Sequence, residues 1–325
     1  MYQAIRELRA APGRTTLITV TIGLIAVLVT FLSALTAGLA ERSVSGLEDL
    51  LGDDALVIAD TGAGTLGASR LDPDQLAALG GAELRIGRLR VGETPAVTLP
   101  DPALAPGHAR VAADLGDQVA AGAELDLGSD VRVRVDSVDA ADAPGQWLEH
   151  QPVVHVSAAD SAATAGPAAA AIVAGEVPEV AGTTVLTGAD RLSAVASYRG
   201  EQTSLGTMTA LLYLISALVV GAFFMVWTVQ RLRSVAIAGA LGASRRVLVA
   251  DALGQAGLVL VAGIGAGLAV TLAAGAAAGG VMPVRIDAST TAVPAALLMA
   301  CGLAGAAVSL RPVLRAEPRA ALAAG

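Results

Sequence analysis

The residues available for chemistry are narrowed first by an absence. All 21 basic residues of the chain are arginine, because the sequence contains no lysine. A P-loop lysine, a lysine Schiff base and a lysine general base are therefore excluded. The three histidines are His108, His150 and His155. In the run Glu149-His-Gln-Pro-Val-Val-His155, Pro152 breaks any helix, so the last two histidines lack the one-face spacing of a helical metal pair. Solvated or structural roles are expected for all three. Asp114, Asp117, Asp126 and Asp130 do not fall at calcium-loop spacing and read as a solvated acidic face. There is no G-x-S-x-G elbow. Cys301, the single cysteine, sits in an apolar run and has no intrachain disulfide partner. It is expected to be a buried, inert thiol. No catalytic centre emerges, and a non-enzymatic role with no intrinsic cofactor is expected.

The elements around these residues explain why. With 325 residues, 54% hydrophobic, and a mean hydropathy of +0.65, the chain has the composition of a membrane protein with a sizeable polar domain. The charge is divided sharply. Residues 41–205 hold 25 Asp and Glu against 10 Arg, whereas the remainder holds 4 acidic residues against 11 Arg. An acidic outer domain and a basic inner face predict this asymmetry. The expected fold is thus an integral membrane protein of four transmembrane helices, with a mixed α/β extracytoplasmic domain inserted between helices 1 and 2.

Residues 1–12 read as an amphipathic elbow, with Ile5 and Leu8 on one side. Residues 15–40 carry no charge over the length that crosses about 30 Å of hydrocarbon. Gly38-Leu-Ala40 resembles a signal-peptidase site, but the apolar run exceeds a signal h-region and favours an uncleaved helix. The outer domain, 41–205, shows a capped helix at Leu71-Asp-Pro-Asp-Gln-Leu-Ala-Ala-Leu79, with Asp72 before Pro73. Strands are expected at 55–60, 83–91, 131–135, 152–156 and 183–187. Residues 161–174 are Ala-rich and fit either helix or linker. A helix from about 188 to 202 is expected to lead into the second span, 206–230. The third span covers 247–280, an outer loop 281–291, the fourth span 292–310, and a basic tail 311–325.

Polar groups inside the spans are rare and therefore informative. Asp251 and Gln255 share one face near the inner end of the third span, and pair with nearby arginines or lie at the headgroups. The threonines of the first span are expected to bond their own helix carbonyls. Gly263/Gly267 and Gly275/Gly279 fit the small-xxx-small spacing of close helix packing.

Between the second and third spans lies Arg231-Leu-Arg-Ser-Val-Ala-Ile-Ala-Gly-Ala-Leu-Gly-Ala-Ser-Arg-Arg246. Its arginines mark an inner face, and its apolar middle offers a small docking surface. Gly242 would end one helix and Ser244 cap the next. As a bare pattern it is either a topogenic loop or a partner-binding segment.

The wording of that segment resembles the coupling segment of FtsX-like, macrolide-exporter-like ABC permeases, a run such as R-x-R-E-I-A-x-L-x-A-L-G-A-S. Arg233, Val235 to Ile237 and Ala240 to Ser244 match; Ser234 replaces an acidic residue and Gly239 stands where a basic one is common. The resemblance extends over the whole topology. It implies a permease subunit docked through Arg231, Arg233, Val235, Ala236, Ile237, Ala240, Leu241, Gly242, Ala243, Arg245 and Arg246 to a partner ATPase in two copies, which binds ATP–Mg. It further implies a permease homodimer among membrane lipid, with no nucleic acid. The setting implied is the cytoplasmic membrane of a bacterium, with both termini in the cytoplasm.

Leu212-Tyr-Leu-Ile-Ser-Ala-Leu-Val-Val-Gly-Ala-Phe-Phe-Met-Val-Trp-Thr-Val-Gln230, followed by Asp251-Ala-Leu-Gly-Gln255, is similar to the DevC/HrtB-type branch, which includes haem-efflux permeases. That likeness implies haem as transported substrate, taken from the membrane. Haem iron accepts His, Met, Cys, Tyr or a carboxylate, and the first span contains none of these. Glu41 beyond it, with Glu201 and Met208 on one helical face, are the ligand candidates the likeness leaves. The alternatives within the same superfamily are a signalling subunit that regulates a cell-wall hydrolase, and a lipid or lipoprotein extraction permease.

Overall fold

The computed structural model describes residues 12–240, 244–277 and 282–309. Its described residues divide into two compact units, one holding residues up to Ala37 and from Leu205 onward, the other Gly38–Ser204. The expected elbow at 1–12, apart from Pro12, and the basic tail lie outside the described residues.

In the first unit, four helices are long and apolar enough to cross a membrane. They belong to α1 (Pro12–Leu51), α4 (Ala196–Ala240), α5 (Arg245–Ala277) and α6 (Ala288–Ser309). The four-span, inserted-domain architecture expected from the sequence is the one observed. The core of the bundle is built from Ile18, Ile22, Ala26 and Val29 of α1, Val220 and Phe224 of α4, Val259, Leu260 and Ile264 of α5, and Leu298 of α6. The opposite faces carry exposed Leu17, Leu24, Leu218, Val261 and Leu297, a distribution that only an apolar solvent tolerates.

Where the α1 and α5 backbones meet, small residues are required. A Cβ on Gly263 would lie 2.9 Å from the Thr19 carbonyl oxygen, and one on Gly267 would lie 2.6 Å from that of Gly23. The expected small-xxx-small contact at 263/267 is thus a real close approach. Gly279 lies outside the described residues. One further link is polar. The hydroxyls of Thr30 and Thr271 are 2.7 Å apart and fully buried. Each also reaches its own helix carbonyl, Ala26 at 2.7 Å and Gly267 at 3.1 Å. A hydroxyl has one proton, so two of these three bonds are made at a time. The expectation of purely intrahelical threonines was therefore incomplete for Thr30.

The second unit contains two sheets. Strands β1 (Ala55–Ala59), β2 (Ala82–Leu84), β10 (Ala170–Val173) and β11 (Thr183–Leu186) form an antiparallel sheet ordered β11-β1-β10-β2. The second is mixed, in the order β3-β4-β9-β5-β7-β6. Its strands are β3 (Gly87–Val91), β4 (Thr94–Pro100), β5 (His108–Val111), β6 (Glu124–Gly128), β7 (Val131–Val138) and β9 (Gln151–Val156), with β8 (Trp147–Leu148) paired to β9. Its edge strands β3 and β6 approach each other, so the sheet curls. Alternation supplies its interior: Val133 and Val135 are buried while Arg132 and Arg134 are exposed.

Helix α2 (Pro73–Leu79) begins where expected. The Asp72 carboxylate accepts the Gln75 N–H, and the Gln75 side chain answers to the Asp72 N–H, a complete capping box. Three boundaries differ from expectation. The single strand expected over 83–91 is two, β2 and β3, in different sheets. The open stretch 161–174 resolves into helix α3 (Ala158–Thr164) and strand β10. The helix expected over 188–202 is a 3-10 segment, Gly188–Ala194, and then α4 begins at Ala196.

Helix α1 also continues past residue 40 to Leu51. Its last turns carry Val44, Leu47 and Leu51 on one face, buried against Leu99, Leu148 and Val153. That amphipathic tail is part of the outer domain's core, which is why the helix does not stop where the uncharged run does. Gly46 permits the contact, because a Cβ there would lie 2.9 Å from the Leu99 side chain and 3.1 Å from the Trp147 carbonyl.

Candidate functional site

Two places stand out, and the first is the segment after the second span. Helix α4 runs without interruption from Ala196 to Ala240, so Arg231, Arg233, Val235, Ala236, Ile237 and Ala240 lie on the same helix as the span. At 1.5 Å per residue this rod is about 68 Å long. Leu241, Gly242 and Ala243 lie outside the described residues. Ser244 then precedes α5, and its hydroxyl lies 3.4 Å from the Val247 N–H, the position of an N-cap. Arg245 opens α5, and Arg246 is exposed on its first turn. Further along α5, the Gln255 amide donates to the Asp251 carboxylate at 2.9 Å. Gln255 is buried and Asp251 half-buried, so the pair first singled out by spacing is bonded across one helical turn.

The second place is a polar cluster in the outer domain. Residues Glu149 and His150 form the two-residue turn between β8 and β9, and both have positive φ, 50° and 62°. This is the type I′ hairpin geometry that Asn-Gly adopts without strain. For side chains with a Cβ it costs about 1–2 kcal/mol per residue. The turn is held against α1: the Glu149 N–H donates to the Ser43 carbonyl at 3.0 Å and the His150 N–H to that of Arg42 at 2.9 Å. The imidazole Nε2 of His150 lies 2.5 Å from Glu201 Oε1 and 3.1 Å from Ser43 Oγ. The Ser43 hydroxyl donates to Glu201 Oε2 at 2.9 Å. Around them the Arg88 guanidinium donates to the Glu149 carboxylate at 2.5 Å, and the Arg42 guanidinium lies 4.7 Å from the centroid of the Trp147 ring.

Serine, histidine and glutamate together invite comparison with a hydrolase relay. The geometry is not one. Serine and carboxylate both address the same ring nitrogen, whereas a relay needs the acid on Nδ1 and the nucleophile on Nε2. Ser43 is also fully buried. The cluster joins elements rather than activating a nucleophile.

The remaining titratable groups divide similarly. His155 is buried on β9 and its Nε2 donates to the Gly145 carbonyl at 3.1 Å. Burial first, and then the Arg110 guanidinium, lower its pKa below the usual 6.5. His108 is a surface partner of Asp136 at 2.8 Å. The histidines thus take structural and solvated roles, with His150 in an additional one that spacing did not reveal. Among the described residues no group of three His, Cys, Asp or Glu side chains is placed to hold a metal ion.

The three proposed ligands lie apart in character. Glu201 is engaged by His150 and Ser43. Glu41 is exposed on α1, and Met208 is 58% exposed on α4. Within the bundle a cavity of about 10 Å³, room for a single water, is lined by apolar side chains including Ile22, Val220, Leu260 and Leu298, together with Ser216 and Cys301. Drug-sized ligands occupy about 300–1,000 Å³, so this space is small and carries few polar groups.

Among the described residues, four spans with a folded domain inserted between the first and second define a multi-pass membrane protein. In comparison with known proteins, residues 206–318 match the FtsX-like permease C-terminal family. Two curated relatives, from two strains of Staphylococcus epidermidis, carry the name hemin transport system permease protein HrtB. One is 25% identical over 150 residues, 46% of this chain and 43% of the relative. The other is 26% identical over 133 residues, 41% of this chain and 38% of the relative. The matched region spans less than half the length of either relative.

Proposed function

We propose that the chain is the permease subunit of an ABC exporter, working as a homodimer with two copies of a partner ATPase. The observation that carries this reading is the continuity of α4: the second span and the first part of the coupling segment form one helix, inside the region that matches the FtsX-like family. A push at a docked ATPase would travel along such a rod without being absorbed in a hinge. ATP–Mg binds the partner, consistent with a chain that has no lysine for a P-loop. The arginine distribution supports a bacterial cytoplasmic membrane with both termini inside.

Haem, or an amphipathic molecule like it, is the proposed substrate, supported by the name that both relatives carry. Glu41 and Met208 are exposed, whereas Glu201 is engaged by His150 and would have to leave it. The test is haem-dependent ATP hydrolysis by the complex with its cognate ATPase, read beside the Soret band of the permease alone. A Soret band with saturable stimulation, both weakened by Met208→Ala or Glu41→Ala, is the expected result. No band and no stimulation, in a complex that still hydrolyses ATP, would remove haem.

The small, apolar character of the bundle cavity favours one second reading: a relay that passes ATPase motion to a cell-wall hydrolase without moving a substrate. A lipid or lipoprotein would be the cargo in a third. ATPase stimulation by an added hydrolase domain, and not by haem or lipid, would select the relay.

A further inference from the structure

The outer domain contains two hairpin turns in which consecutive non-glycine residues have positive φ, and they are not alike. Ser129 and Asp130, between β6 and β7, are exposed, and their turn projects into solvent. Glu149 and His150 are tied by backbone to Arg42 and Ser43 of α1 and by side chain to Glu201 of α4. Strained backbone persists where surrounding contacts over-determine it, and such places mark switches. Here the contacts come from two helices that are joined at this level by the turn's histidine and the Ser43–Glu201 bond.

We propose that the Glu149–His150 turn is a latch that fixes the separation of α1 and α4 at the level of Ser43 and Glu201. In the closed state seen here, His150 inserts its imidazole between the two helices and the turn is held in its left-handed form. Loss of the His150–Glu201 contact leaves the turn tied by side chain to α1 and β3 alone and the two helices held at this level by the single Ser43–Glu201 bond, so that their separation there can widen. The charged groups around the imidazole are Glu201 from α4, Arg42 from α1, Glu149 beside it, and Arg88 from β3, which neutralises Glu149. The cluster lies wholly within the inserted domain, on the ends of α1 and α4 that belong to it. The inference rests on the cluster's own geometry and stands whether the chain exports a substrate or relays a signal.

The experiment uses the full-length chain in lipid nanodiscs, with Cys301→Ser removing the one native thiol. Spin labels at Glu48→Cys on α1 and Ser204→Cys on α4, both exposed positions outside the cluster, report the helix separation by pulsed electron–electron resonance. The native sequence is expected to give one narrow distance, and Glu201→Gln and His150→Ala to add a longer population. The double variant Glu149→Asn/His150→Gly separates clamping from stability, because it installs the turn's preferred residues while deleting the side-chain ties. It is expected to keep or raise the melting temperature and still show the longer population. It also decides the matter should His150→Ala fail to fold. A native, single distance in the double variant would overturn the latch, as would variants that melt earlier with the distance unchanged.

Discussion

In the outer domain the largest fully buried side chains are aliphatic, Leu47, Leu56, Leu84, Leu99 and Leu148 among them, set between two sheets and the tail of α1. In the bundle Gly23, Gly263 and Gly267 let the backbones of α1 and α5 come close together, beside one buried pair of hydroxyls. The difference follows from the solvent. Water drives apolar side chains together at about 25 cal/mol per Å², so the outer domain gains by filling its interior with large residues. Lipid tails are as apolar as leucine, so helices in a membrane gain by bringing backbones close and pairing polar groups. One chain therefore carries two kinds of core, and substitutions of opposite size should damage them.

The largest effect is expected from truncation in the outer domain. Leu99→Ala should cost about 2–5 kcal/mol, seen as an earlier melt of Trp147 fluorescence in a Trp227→Phe background. A loss under about 0.5 kcal/mol, the range of neutral surface changes, would break the contrast. Enlargement should hurt the bundle instead. Gly267→Ala places a methyl against the Gly23 carbonyl and should cost about 1–3 kcal/mol, whereas Gly265→Ala meets nothing within 4 Å and should be silent. Both are read by the temperature at which Cys301, half-buried on α6, becomes reactive to a thiol dye. Equal midpoints for the two variants would mean the close approach is not what holds α1 to α5. Thr30→Val deletes the interhelical hydroxyl pair, and about 0.6 kcal/mol is expected, the average for such bonds in membranes.

The smallest contrast is in acid. His155 is held neutral by burial, with its pKa below the usual 6.5. A folded-state value lower than the unfolded one means stability that is full above about pH 6.5 and is lost as pH falls through the folded value. The outer domain should therefore soften first, and His155→Gln should flatten that slope. Asp287, which caps α6, behaves differently. Hydrogen bonds from the Ser289 hydroxyl and the Thr290 N–H bring it from 3.8 to about 2. Its cap is present above 3.8 and lost only as pH falls through about 2, so Asp287→Ala should leave the outer-domain slope near pH 6 unchanged. A slope that moved with Asp287 and not His155 would reverse the assignment.

Sequence made the membrane half readable because each span announces itself by length and lack of charge. Gly263 and Gly267 could be singled out by spacing, but that they face Gly23 could not, since the partner helix is more than 200 residues away in the chain. In the outer domain the α2 cap was legible from Asp72, Pro73 and Gln75, which act locally. The division of 83–91 between two sheets was not, because both halves alternate alike and only tertiary pairing separates β2 from β3. The tail of α1 was missed because its apolar spacing at Val44, Leu47 and Leu51 lies among the charges of Glu41, Arg42, Glu48 and Asp49. Glu201 was visible as a ligand candidate, while His150 read only as a solvated or structural histidine. Their junction through Ser43 was hidden, since no local pattern links residues so distant in sequence.

The central claim, that residues 231–246 dock an ATPase whose work passes into α4, is tested most directly by one substitution. Ala240→Asp puts a charge at the end of the continuous helix, and ATP hydrolysis by the cognate ATPase would be measured with native and variant permease in the same lipid. The account predicts that stimulation by the permease is lost while the Cys301 reactivity midpoint, and hence the inserted bundle, is unchanged. Stimulation equal to that of the native chain would contradict it.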